Sequence, residues 1–189
     1  MELERLAVAS AADFEAWLER EAASSPGIWL RFSKKDSGVP SVTYDEALEA
    51  ALCFGWIDGH RAPLDERFWL VRFTPRGRRS KWSERNRDLA GGLIAAGRMR
   101  AAGAAEIERA KADGRWGAAY PGQRTATVPD DLRAALDANP AAAAFFEGLD
   151  RANRYAILYR VHDAKRPATR VARIERFVAM LAAGERIHQ

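Results

Sequence analysis

Cysteine is nearly absent: the 189 residues contain one, Cys53. A single thiol closes no intramolecular disulfide and builds no cysteine-rich zinc site. Histidine is almost as scarce, and His60, His162 and His188 stand far apart, whereas metal binding needs ligands clustered at a standard spacing. No apolar run approaches the roughly eighteen residues that a membrane-spanning helix needs. A glycine-rich phosphate loop, a G-x-S-x-G elbow and an H-E-x-x-H helix are also missing. No metal and no cofactor is therefore expected. The N-terminal Met-Glu-Leu-Glu-Arg is acidic where an export signal is basic and then apolar, so a cytoplasmic location is expected.

What remains is the composition of a globular protein, 48% hydrophobic and 30% charged. A chain of this length buries roughly two thirds of its unfolded surface without a covalent staple. The net charge of +4 is unevenly spread. Residues 1–58 hold eleven acidic and five basic side chains, whereas residues 59–189 hold fifteen and twenty-five. The densest stretch, 72–87, sets Arg72, Arg76, Arg78, Arg79, Lys81, Arg85 and Arg87 against Glu84 alone. Such a cluster either attracts an anion or pairs with the acidic first third of the same molecule.

Periodicity divides the chain into an α/β front and a helical back. Ser10 is placed to cap a helix that carries Phe14, Trp17 and Leu18 on one face. Ile28, Leu30 and Phe32 alternate with Trp29, Arg31 and Ser33, as in a strand. Thr43 with Glu46 forms a capping-box pattern, and Gly55 closes the helix it opens. Asp58-Gly59 reads as a turn. A second strand covers 67–74, with Trp69, Val71 and Phe73 on one face and Phe68 and Leu70 on the other, the pattern of a central strand. Helices follow at about 83–96 and 102–113, then an irregular linker at 115–127. Beyond it, Pro129, Asn139-Pro140, Asp150 and Pro167 each mark a helix start. The last helix carries Val171, Ile174, Val178 and Leu181 as an apolar stripe. The expected fold class is α+β. A small, mainly antiparallel sheet with flanking helices occupies about 1–120, and a C-terminal helical bundle occupies about 128–186.

Three segments, VPDDLRAAL at 128–136, NPAAAAFFEGLD at 139–150 and DAKRPATRVARIERFVAMLAAGE at 163–185, resemble the C-terminal signature of the YdeI/OmpD-associated family. Its members are also called bacteriocin-protection, or OmdA-like, proteins. SPGIWLRFSKK at 25–35, PSVTYDEALEAALCFGWIDG at 40–59 and RFTPRGRRSKWSERN at 72–86 are similar to the front half of longer members. The resemblance implies a role in stress protection, in tolerance of bacteriocins or antimicrobial peptides, and association with an outer-membrane porin. It carries no established catalytic residues. The acidic N-terminus departs from members placed in the periplasm, which argues against the porin as partner here.

Three candidate sites emerge. In WIDGHR at 56–61, Asp58, His60 and an arginine meet beside the expected turn and face Arg72. A carboxylate and an imidazole there would suit acid–base work on a small anionic substrate, or Asp58-Gly59 simply makes the turn with His60 in solvent. The second candidate is the basic segment. Arg72, Arg79 and Lys81, joined by Lys34 and Lys35 from the first strand end, would form a groove for an anionic ligand or protein partner, with Trp82 as an aromatic contact. The alternative is a solvated or internally paired loop. Nucleic-acid binding ranks lower, because no helix-turn-helix, RRM, KH or zinc-finger pattern is present. The third is the stripe Arg166, Arg170 and Arg173 on the last helix, an ordinary feature of amphipathic helices. The leading expectation is a non-enzymatic binding protein whose surface captures an anion.

Overall fold

The structure is a computed structural model that describes residues 3–188. It contains two compact units: the chain up to Trp82 together with Asn86–Ala119, and Ser83–Arg85 together with the chain from Tyr120.

In the first unit, alternation builds the sheet. β1 (Glu4–Ala7), β2 (Ile28–Ser33), β3 (Trp56–Pro63) and β4 (Phe68–Pro75) lie in the order β1-β2-β4-β3. β1 is parallel to β2 and the other pairings are antiparallel, so the sheet is mainly antiparallel. β4 is central, as its two apolar faces require. Ile28, Leu30, Phe32, Val71 and Phe73 share a core with Phe14, Trp17 and Leu18 of α1 (Ala11–Glu21) and with Ala47, Ala50 and Ala51 of α2 (Tyr44–Cys53). Both helices start at the caps the sequence offers: Thr43 forms the expected capping box with Glu46, and Ser10 forms a second box with Asp13. The far side of α2 packs Leu48, Leu52 and Cys53 against Ala90, Leu93 and Ile107 of α3 (Glu84–Ala95) and α4 (Ala101–Ala112). Only one face of the sheet thus carries helices of this unit. Cys53 is buried in that second core, and the loss of solvent pushes its thiol pKa up, which makes it a packing residue.

One expectation is corrected. Asp58-Gly59 makes no turn: β3 runs through it to Pro63, and the chain reverses between β3 and β4, where the Asp65 carboxylate accepts from the Arg67 and Phe68 amides at 2.8 and 2.9 Å. The glycine serves a bulge instead. The Arg72 side chain lies against it, its Nε 3.6 Å from where a Cβ would stand. The strand β1 was not foreseen, because four residues, ERLA, are too few to show a period.

The second unit is helical: α5 (Asp130–Asp137), α6 (Pro140–Glu147), α7 (Arg151–His162) and α8 (Pro167–Ala182). Asn139 caps α6 and Asp150 caps α7 through the Ala142 and Asn153 amides. The core takes Leu132 and Leu136, Phe146, Ile157 and Val161, and Ile174, Phe177 and Leu181. Val171 is not part of it, being 55% exposed. Phe177 stands in its place, because positions 174, 177 and 181 of a 3.6-residue helix share a narrower stripe than one begun at 171. The fold class is α+β.

Candidate functional site

The bulge in β3 decides where the WIDGHR side chains go. Asp58 pairs with Phe73 and Arg61 with Val71, so Gly59 and His60 together oppose Arg72. Two residues against one reset the alternation. Asp58 and Arg61 turn to the helix-covered side. His60 turns to the other, where its ring meets the edge of Trp29 with centroids 6.2 Å apart. Asp58 and His60 therefore do not converge as an acid–base pair.

Asp58 is occupied by structure. The Tyr44 hydroxyl donates to it at 2.6 Å. The Arg61 guanidinium lies 4.5 Å over the Tyr44 ring and 5.0 Å over that of Trp69, which in turn stacks on Phe32 at 4.8 Å. Burial, followed by the adjoining Asp58 carboxylate, raises the Tyr44 hydroxyl above its ordinary pKa. This cluster ties α2 to the outer strand of the sheet.

The face of the sheet opposite α1 and α2 carries a different set. Register puts Arg5 beside Trp29, Trp29 beside Arg72, and Arg31 between Ala7 and Leu70. Arg5, His60 and Arg72 are exposed, and Trp29 and Arg31 half-buried. The Arg31 guanidinium sits 4.2 Å over the Phe68 ring and Arg67 lies 5.3 Å from it, so arginine stems shield this aromatic. Among the described strand residues directed to this face there is no carboxylate. The result is a cationic, partly aromatic surface drawn from all four strands.

The basic segment after β4 does not form one groove with it. Arg76 is buried and caps the Trp82 ring at 3.6 Å, with Nη1 donating to the Lys81 carbonyl at 3.2 Å. Trp82 is 2% exposed, edge-on to Trp116 at 4.8 Å. It belongs to the core shared by α2, α3 and α4, so the expected aromatic contact at Trp82 is corrected: no face of its ring is presented to a ligand. An indole this large stabilises more as core than as surface, since it removes more apolar area from water than any other side chain. Arg79 and Lys81 remain exposed beside it. Lys34 is likewise exposed, and its Nζ donates to the Asp65 carbonyl at 2.9 Å, which fastens the end of β2 to the β3–β4 reversal. Of the expected residues, the structure brings His60 and Arg72 onto one surface; Asp58 and Trp82 are turned inward, and Lys34, Arg79 and Lys81 belong to loops at the sheet margin.

The acidic first third does find basic partners, but later in the chain. Arg98 bridges Glu15 and Glu49 at 3.1 and 2.7 Å, and Arg100 reaches Glu19 at 2.9 Å. The stripe on α8 folds back in the same way. Arg170 grips Asp131 with Nε and Nη2 at 2.5 and 2.8 Å and donates to the Val161 carbonyl at 2.8 Å, and Arg173 donates to the Arg160 carbonyl at 2.5 Å.

Trp29, Arg31 and Arg5 did not stand out in the sequence as site residues. Their signal was the polar phase of strand alternation, diluted because each lies far along the chain from Arg72. The density of charge at 76–87 was a stronger local signal and pointed elsewhere.

Residues 6–106 match a family described as a domain of unknown function, DUF8412. Residues 125–184 match the family described as bacteriocin-protection, YdeI or OmpD-associated. Neither the curated proteins nor the solved structures yield a match.

Proposed function

We propose, for a chain that belongs to the DUF8412 family and carries a YdeI/OmpD-associated bacteriocin-protection module, a non-enzymatic binding role in which the face of the sheet opposite α1 and α2 captures an anionic partner. The observation that carries this reading is the composition of that face: Arg5, Arg31, Arg72 and His60 around Trp29, with no strand carboxylate directed to it among the described residues. Each cation stands on a strand, so pairing register fixes the spacing of the positions that carry the charges. A broad, shallow face suits an extended acidic segment better than a small molecule, which needs a concave site. Fixed cations on such a face steer an acidic partner and set its register.

A fluorescent poly-glutamate peptide is the probe. Anisotropy titration should give binding that weakens steeply between low and physiological salt, because exposed charges are screened within about 8–10 Å. Arg31→Ala with Arg72→Ala should weaken it by about tenfold or more at low salt, while Arg79→Ala should leave it within about twofold. Salt-independent binding, or an Arg31/Arg72 variant that binds like the parent, removes this face as the site. Tighter binding of single-stranded DNA or RNA than of the peptide would reassign the partner to nucleic acid.

A further inference from the structure

The second unit holds a concavity whose chemistry is separate from the sheet face. An open pocket of about 530 Å³ lies between the end of α7, the outer side of α8 and the segment after α8. Its rim is built from Arg160, Arg173, Arg176 and Arg186, and its apolar wall from Phe177, Met180 and Ile187. Among the described lining residues, Asp163 is the carboxylate.

The charges do not cancel. Asp163 lies 3.8 Å from Arg173 and offsets that guanidinium. Asp150 stands near enough to Arg186 for the cation to help hold its carboxyl below the usual range, after the Asn153 hydrogen bonds that do most of it. Arg160 donates Nη1 to the neutral Ala156 carbonyl at 3.0 Å, which directs the guanidinium and leaves its charge in place. Arg176 is exposed at the rim. The pocket is therefore positive, and guanidinium groups recognise carboxylate and phosphate by paired donors. Its wall is equally particular. Phe177 is 6% exposed and belongs to the core of the unit, so one wall of the pocket is continuous with that core. A volume of this size lies within the roughly 300–1,000 Å³ typical of small-molecule sites.

We propose that this pocket binds a small amphipathic anion: a carboxylate or phosphate group held by the arginine rim, on an apolar body laid along Phe177, Met180 and Ile187. Both parts are needed. A bare anion leaves the apolar wall in water, and an uncharged chain leaves the guanidinium groups unanswered.

Isothermal titration of the full chain with octanoate, octyl phosphate, octanol and acetate tests the proposal. Octanoate or octyl phosphate should bind, with octanol and acetate each about tenfold weaker or worse, as loss of the headgroup bonds or of several buried methylenes dictates. Arg176→Ala should weaken octanoate about tenfold, the worth of one charge-assisted hydrogen bond. Arg160→Ala provides the same readout from the neighbouring helix, and Lys165→Ala, outside the lining, should change nothing. Circular dichroism confirms that each variant is folded. No heat with millimolar octanoate or octyl phosphate, octanol binding as tightly as octanoate, or full affinity in both folded arginine variants overturns the site.

Discussion

Glu106, 4% exposed on α4, accepts from Arg115 Nη1 at 2.9 Å and from the Arg109 guanidinium. Arg115, itself 8% exposed, also reaches Asp113 at 2.8 Å and the Ser80 carbonyl at 3.0 Å. Through the Ser80 and Arg76 carbonyls, which accept from Arg115 and Arg109, the network ties the backbone of the basic loop after β4 to α4. Breaking a buried pair from one side leaves an uncompensated ion. Glu106→Ala should therefore destabilise the protein by about 3–5 kcal/mol in urea titration, and Glu106→Gln, which keeps an acceptor, by less. A loss under about 1 kcal/mol for the alanine variant would show that water replaces the carboxylate. None of this was legible in the sequence. Glu106 looks like any helix-surface glutamate, since Gly55, where a Cβ would stand 3.5 Å from its own, lies far from it along the chain.

Helix boundaries were the most legible elements, because they are written in adjacent residues: Ser10, Thr43, Asn139 and Asp150 each cap the helix their own side chain begins. Links between helices were not. Asp131, in the first turn of α5, complements the helix dipole, as its position suggests, but Arg170 of α8 is its principal partner and holds its carboxyl below the usual carboxylate range. A carboxyl depressed in the fold contributes stability that is complete above its unfolded pKa, about 3.9, and that is lost as pH falls through the lower folded value. Thermal unfolding between about pH 5 and pH 2 should therefore be less pH-dependent in Arg170→Ala than in the parent. The difference should be modest, because the Asp131 side chain is 47% exposed and solvent screens the pair. Identical acid limbs would show that the pair contributes nothing to folding. The β3 bulge belongs to this scale too: Asp-Gly is the strongest turn dipeptide in its stretch, and only the pairing with Arg72 makes it a bulge.

The first unit packs two core clusters and the second unit one. Leu48 and Ile157 are both fully buried, the first against α3 and α4, the second among α5 to α8. Truncation of either to alanine should cost about 2–5 kcal/mol through lost burial and the cavity left behind. Differential scanning calorimetry should show each variant shifting a different part of the transition, since each core lies within its own unit. Equal displacement of one undivided transition by both variants would show that the chain unfolds as a single cooperative block.

Apolar spacing and caps are properties of neighbouring residues, and they determined the α+β class, the central place of β4 and the helical second half, while the family resemblance rested on whole segments of that half, which residues 125–184 match. Which surface the charges share is a property of pairing between distant segments. Register alone decided that Arg72 meets Trp29 and Arg5, and a single bulge decided that His60 joins them while Asp58 does not. Burial decided that Trp82 is core. A one-residue change of phase moves a strand side chain to the other face of the sheet, and nothing within the segment itself records it.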